Sequence, residues 1–205
     1  MNDMQVIVLK PEHAQAVARL HQEGIPTGFL SSLGSSFLAE LYASISQSSE
    51  GFGFVACEKG DVVGFIAFTT NLKQLYKTVL RGHGIKLIAI LLPRLFSIKT
   101  IKKIVQNIFY PGKTEKLNLP QAELLSIVVS NSCRGKGLAG QLINYGFEEC
   151  RRRGIPQVKV LVAEANQTAN RLYQKNGFKL ITQVDSHGCT SNIYVAQTHN
   201  HPGVT

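Results

Sequence analysis

Acidic residues are scarce in this chain: 13 aspartates and glutamates stand against 22 lysines and arginines, a formal net charge of +9 over 205 residues. Long apolar runs are missing as well. No stretch approaches the roughly 18 to 20 uninterrupted apolar residues of a membrane span, and Leu87 to Pro93 is fenced by Lys86 and Arg94. Cysteines are few. Cys57, Cys133, Cys150 and Cys189 show no C-x-x-C spacing, which argues against a zinc site and a disulfide framework alike. The segment MNDMQVIVLKPEH lacks a charged region leading into an apolar one, so no secretory signal is expected and a reducing cytoplasm is the expected setting. Proline and glycine stay below low-complexity levels, while 44% hydrophobic content suffices for one domain with a buried core.

The basic surplus is local. Between Asn71 and Leu119 lie ten lysines and arginines and a single acid, Glu115, while the rest of the chain holds twelve of each sign. A surplus confined to one segment reads as a binding surface or a separate element. Within it Leu72, Leu75, Tyr76, Val79 and Leu80 keep helical spacing, and so do Ile101, Ile104, Val105, Ile108 and Phe109, which predicts two amphipathic helices with outward lysines.

Upstream, Gln5 to Leu9 reads as a strand, and Pro11 opens a helix carrying Ala14, Val17, Ala18 and Leu20 on one face. A second helix carries Phe37, Leu38, Leu41, Tyr42 and Ile45. Phe52 to Cys57 and Val62 to Thr69 are strand-like, with hairpin chemistry at Lys59-Gly60-Asp61 between them. Downstream, Leu124 to Val129 is a strand covered on both faces, Gly137 to Arg153 a helix closed by Gly154, Val158 to Ala163 a second buried strand and Thr168 to Lys175 a short helix. Phe178 to Val184 and Ser191 to Val195 form a closing antiparallel pair, and residues 197 to 205 read as a flexible tail. Strand, helix, strand with a short crossover implies a parallel pair. The fold class is mixed α/β: one domain over 1–196, with the basic helical insertion 71–119 inside it.

Arg134-Gly135-Lys136-Gly137-Leu138-Ala139-Gly140 is the most specific local pattern. Glycines between a buried strand and a helix start let backbone N–H groups approach an anion, and two interleaved bases add charge-assisted bonds. Gly135-x-Gly137-x-x-Gly140 also matches a dinucleotide fingerprint, with Glu164 ending the next strand. Five residues separate strand from first glycine, however, and about 40 residues after Glu164 are too few for a doubly wound sheet.

Arg134-x-x-Gly137-x-Ala139 resembles the acetyl-CoA pyrophosphate loop of the GNAT N-acetyltransferase superfamily. Asn166-x-x-Ala169-x-x-x-Tyr173-x-x-x-Gly177-Phe178 is similar to a second block of that family, in the right order. The likeness is clear from Glu123 to Leu180, fainter over 5 to 70 and absent over 71 to 119. It implies a mostly antiparallel mixed sheet whose central parallel strands splay around acetyl-CoA, used as cosubstrate with no metal, and acetyl transfer to a primary amine on a small molecule or peptide. By the same resemblance Ile127, Val128 and Val129 bond pantetheine through their backbones, with an N–H near Val129 polarising the thioester, and Arg134 to Gly140 hold the pyrophosphate. Asn166 contacts pantetheine, and Tyr173 protonates or holds the departing sulfur.

Glu123 matches the spacing of the catalytic glutamate in the histone acetyltransferase branch, and a solvated strand-start carboxylate is equally open for it. In a regular strand it shares a face with Leu125, Ile127 and Val129. The six histidines lack metal-ligand spacing, and Cys133 lacks a paired base. A non-catalytic acyl-CoA sensor is the alternative to an enzyme. The Leu- and Ile-rich insertion offers few aromatics for nucleic acid; a wall of the acceptor pocket, an anionic membrane surface or a twin subunit stay open as its contacts.

Overall fold

The hairpin expected around Lys59 forms through a two-residue turn, in which Lys59 and Gly60 take φ of 52° and 89° and so match the twist of the flanking strands. In the computed structural model, which describes residues 4–91, 118–186 and 189–199, the hairpin comprises β2 (Gly51–Glu58) and β3 (Asp61–Thr69). Around it lie β1 (Met4–Val8), β4 (Glu123–Val129), β5 (Gln157–Ala163), β6 (Lys179–Ser186) and β7 (Cys189–Gln197). They form one mixed sheet in the order β1-β2-β3-β4-β5-β7-β6, antiparallel throughout except between β4 and β5. This order excludes the doubly wound parallel sheet of a dinucleotide fold.

Helices cover both faces. Alternation along β3 sends Phe65 and Ala67 to one side and Ile66 and Phe68 to the other. The first side is packed by α1 (Ala14–Gly24), the short α2 (Phe29–Ser32) with α3 (Ser35–Gln47), and α4 (Leu72–Leu91), through Val17, Leu38, Tyr42 and Leu75 among others. The second is packed by α5 (Leu138–Arg152) and α6 (Gln167–Lys175), through Leu142, Phe147 and Tyr173. Gly146 lets α5 lie directly on β3, because a Cβ there would run into the Phe68 ring.

The first insertion helix is α4; the second, from Ile101, lies outside the described residues. Leu75, Val79 and Leu87 are buried, but Leu80 is 55% exposed, so the apolar stripe is narrower than its spacing suggests. Ion pairs hold the helix to α3: buried Glu40 takes His83 Nδ1 at 2.7 Å and Lys86 Nζ at 2.6 Å. Burial opposes the Glu40 charge, yet hydrogen bonds from Lys86 and His83 carry its pKa below the ordinary carboxylate value. Lys73, Lys77 and Arg81 face solvent as expected. The C-terminal end differs from the expected tail. Gln197 belongs to β7, and Thr198 is fully buried, donating through Oγ1 to Ile155 O at 2.7 Å while its carbonyl accepts from Arg151.

His21 of α1 is buried against Phe65, and its Nδ1 lies 2.6 Å from the Tyr42 hydroxyl of α3. Burial lowers its pKa to about 4, so it folds as the neutral imidazole, hydrogen-bonded to the Tyr42 hydroxyl. The unfolded chain therefore binds more protons between pH 6.5 and 4, and stability must fall as pH drops through that window, by on the order of 3 kcal/mol. Chemical denaturation at pH 7 and pH 5 should show the loss, and His21→Gln should flatten it.

Candidate active site

A wedge opens in the middle of the sheet. Parallel pairing between β4 and β5 is confined to Glu123 with Lys159 and Leu124 with Val160, after which the strands part. β3 follows β4 as far as Val129, and β7 follows β5 as far as Ala163, so each wall is held from behind. Beyond Leu124 the inner edge of β4 has no strand partner among the described residues.

Alternation decides which backbone groups face the gap. Ser130 N donates to Val63 O at 2.8 Å, so Ser130 and, two residues earlier, Val128 turn their peptide groups toward β3. Ile127 and Val129 turn theirs toward the wedge, and Arg134 Nε reaches Val129 O at 3.1 Å from that side. Of the three expected backbone contacts, two are available. Val128 is the exception, committed to β3 opposite Phe65.

At the wide end of the wedge the chain turns through Asn131–Cys133 into the glycine loop. Gly135 and Gly137 have φ of 76° and 80°, a left-handed backbone that favours glycine, and Gly137 ends as the N-cap of α5. No described side chain caps that helix. The first N–H groups of α5 thus remain available at the positive end of its dipole, with Arg134 to Gly137 exposed around them. Leu138 is buried under the loop and Ala139 and Gly140 are half-buried. Such an arrangement suits an anion, and it opens onto a slot that suits an extended ligand able to hydrogen-bond like a strand.

At the narrow end a β-bulge changes the expected geometry. The register between β3 and β4 shifts between Ala67 and Phe68, leaving Leu125 as the extra residue of β4. After the bulge Ile127 and Val129 pack with the α5 side, whereas Leu125 and Val128 pack with the α1–α4 side. Glu123 therefore does not share a face with Ile127 and Val129. It points to the helices that carry the insertion, beside Tyr76 of α4, whose pKa burial raises to about 12 with a contribution from the Glu123 charge. Glu123 is buried, and its Oε2 lies 3.6 Å from Lys159 Nζ without a hydrogen bond of its own. Burial raises its pKa; Lys159 only partly offsets this. Lys159, itself buried, donates to the Pro120 carbonyl. Neither Lys159 nor Tyr76 was expected here, because both meet Glu123 through tertiary packing.

Tyr173 stands on α6 along the β5 wall. Its ring packs edge-on to Phe178 at 5.4 Å and lies 6.3 Å from Tyr194. Burial pushes its pKa well above the ordinary phenol value, so it carries its proton at any working pH. Asn166 is the N-cap of α6, its Oδ1 accepting from Ala169 N at 3.1 Å. The sequence reading missed Asn170, a buried side chain between Asn166 and Tyr173; a polar residue on the inner face of a short helix was the available signal.

Residues 101–178 match the model of the Acetyltransferase (GNAT) family. A curated relative, GCN5-related N-acetyltransferase 6, chloroplastic, from Arabidopsis thaliana, is 27% identical over 108 residues, 48% of this chain and 38% of that protein's length. Over residues 101–178 the chain is similar to the GNAT family in sequence, and its sheet has the fold of solved GNAT acetyltransferases. Solved members share its fold at low identity. An N-acetyltransferase from Staphylococcus aureus Mu50 superposes with a TM-score of 0.64 at 18% identity, covering 96% of this chain and 99% of that one. The PaiA N-acetyltransferase of Thermoplasma acidophilum, solved in complex with coenzyme A, gives 0.60 at 14% identity, covering 95% and 99%. The matched region spans about two-fifths of the curated relative's length.

Proposed function

We propose that this chain transfers an acetyl group from acetyl-CoA to a primary amine by direct attack in a ternary complex. The observation that carries the proposal is the wedge between β4 and β5, open beyond Leu124 and Val160 and ending at the uncapped start of α5. In this reading the pyrophosphate lies on the N–H groups from Arg134 to Gly140, and pantetheine runs down the open edge of β4. The apex of the wedge is at Leu124, so the deeper donor, Ile127 N–H, meets the thioester oxygen and Val129 meets pantetheine. An N–H near Val129 was expected at the thioester; in this reading Val129, nearer the loop, serves pantetheine and Ile127 serves the thioester. A fixed backbone donor at the oxygen that gains charge lowers the barrier without reorganisation.

The amine nitrogen attacks the thioester carbon, the C–S bond breaks and the amine loses a proton. Tyr173 is too weak an acid to surrender its proton outright to a thiolate, whose thiol titrates near 8.5 in model compounds. Its contribution is a hydrogen bond to the departing sulfur. Glu123 takes the amine proton through water, since it lies four residues and a bulge from Ile127, and its raised pKa makes it a better base than an ordinary carboxylate. Asn166 keeps a free Nδ2 for pantetheine while its Oδ1 caps α6. α4, packed beside Glu123, walls the acceptor side. A reducing cytoplasmic setting belongs to the same proposal, in keeping with buried free thiols at Cys133 and Cys150.

The test is release of CoA thiol from acetyl-CoA across small amines, polyamines, amino sugars and peptides. Amine-dependent release is expected; CoA binding with no release for any class would favour an acyl-CoA sensor instead. In Glu123→Gln the rate should fall by about tenfold or more, with partial recovery at high pH as solvent deprotonates the amine. The parent's acid limb should lie above the ordinary carboxylate range, and a variant whose pH–rate profile overlays the parent's would remove Glu123 from proton transfer.

A further inference from the structure

Asn170 stands at the centre of a polar network that no described solvent-facing role accounts for. It is 6% exposed, on α6 one turn before Tyr173. The two hydrogens of its Nδ2 are shared among three main-chain carbonyls, Ala163 at 3.1 Å, Glu164 at 3.2 Å and Asn166 at 2.7 Å. Carbonyls only accept, so the amide can be oriented one way alone. Its Oδ1 then accepts from Asn192 Nδ2 at 2.7 Å and from the Tyr194 hydroxyl at 3.0 Å, both on β7. Asn192 Oδ1 accepts in turn from Gln183 Nε2 of β6 at 2.8 Å, and Gln174 Nε2 of α6 donates to the Tyr194 oxygen at 3.3 Å. Both ends of the Asn170 amide are satisfied, and the donor direction runs from β6 through β7 into α6 and the end of β5.

That end of β5 is where the wedge is widest from β4, and no ladder to β4 steadies it. A leucine would fill the same space on a helix face; a buried amide is costly unless every bond is made. Here the bonds fix the turn 163–166 to α6 and α6 to β7, and the ring of Tyr194 that closes the network is also a neighbour of Tyr173. We propose that Asn170 is a positioning residue: it sets the rotation of α6 that aims the Tyr173 hydroxyl into the wedge, acting through the β5 terminus and Tyr194. The inference rests on the acetyl-transfer reading of the wedge.

Two variants test it. Asn170→Asp keeps the shape but turns an acceptor toward three carbonyls; Tyr194→Phe removes one bond to Oδ1 and keeps the ring, so it decides the matter if the aspartate variant does not fold. Each is made in the parent and in Tyr173→Phe, and kcat, KM for the amine, thermal midpoint and CoA affinity are measured. In the parent, kcat should fall by about tenfold with KM for the amine little changed; in Tyr173→Phe the same substitutions should change kcat by less than about twofold, since the group they aim is gone. Equal fold losses in both backgrounds, or a lowered midpoint with kcat unchanged, would overturn the proposal. Should the parent bind CoA but release no thiol, acetyl transfer fails, and calorimetry decides the positioning. The variants should then weaken CoA, through the 163–166 turn and Asn166 that the Asn170 amide holds and Tyr173→Phe leaves in place, but not its nucleotide fragment lacking pantetheine, and equal or absent effects on the two ligands would overturn the role of Asn170 at the wedge.

Discussion

Replacing Tyr173 by phenylalanine is expected to lower kcat by about 10- to 100-fold while leaving CoA affinity within about threefold. The size follows from the role: a hydrogen bond to a group that becomes charged contributes about 1.5 to 3 kcal/mol, and this one forms fully only as the sulfur departs. The ring supplies the packing, against Phe178 and Tyr194, and phenylalanine retains it. The thermal midpoint should therefore hold or rise slightly, because the hydroxyl is buried. Steady-state kinetics on any competent amine, with CoA calorimetry alongside, gives the answer. An unchanged kcat would take Tyr173 out of the reaction.

The second large effect is expected at Gly137. Valine there must adopt a φ near 80° at the N-cap of α5, a left-handed conformation that costs an L-residue about 1 to 2 kcal/mol and more when it is β-branched. An added Cβ would meet nothing within 4 Å, so the core is not disturbed and the protein should still fold. The open space around that Cβ is the mouth of the anion cradle. A branched side chain planted in it, together with relaxation of the loop, withdraws the N–H groups of Leu138 and Ala139 from the pyrophosphate. A loss of CoA affinity of about 100-fold or more is expected, since several charge-assisted bonds of about 1.5 to 3 kcal/mol each are weakened together. Affinity equal to the parent's by calorimetry would show that the loop does not hold the cosubstrate.

These two residues were legible in the chain because their chemistry is local. A glycine at φ near 80° before a helix, two bases beside it, an asparagine cap and a tyrosine seven residues beyond the cap are patterns that survive in one dimension. The same holds for the Lys59-Gly60 hairpin and for the helices whose buried residues follow a 3.6-residue period, including Ala14 to Leu20 and Leu138 to Cys150. Turn chemistry and periodicity are set by dihedral preferences within a few residues.

The tertiary structure decided what depends on pairing between distant segments. One extra residue at Leu125 turned Glu123 away from Ile127 and toward Tyr76, and no local signal marks that bulge, because it exists only in the register of β4 against β3. The same register committed Val128 to β3 and left Ile127 and Val129 to the wedge. Lys159 reached Glu123 across a strand pair only two residues long, and Asn170 found its strand partners on β7, Asn192 and Tyr194, more than 20 residues downstream. Leu80 lay on the predicted apolar stripe yet stayed exposed, since α4 leans on α3 through Leu75, Val79 and the Glu40 ion pairs. The sequence by itself determined the fold class, the glycine loop before α5 and the Tyr173 helix. Which atoms face one another across the wedge was decided by non-local register and packing, which a one-residue shift along a strand reverses.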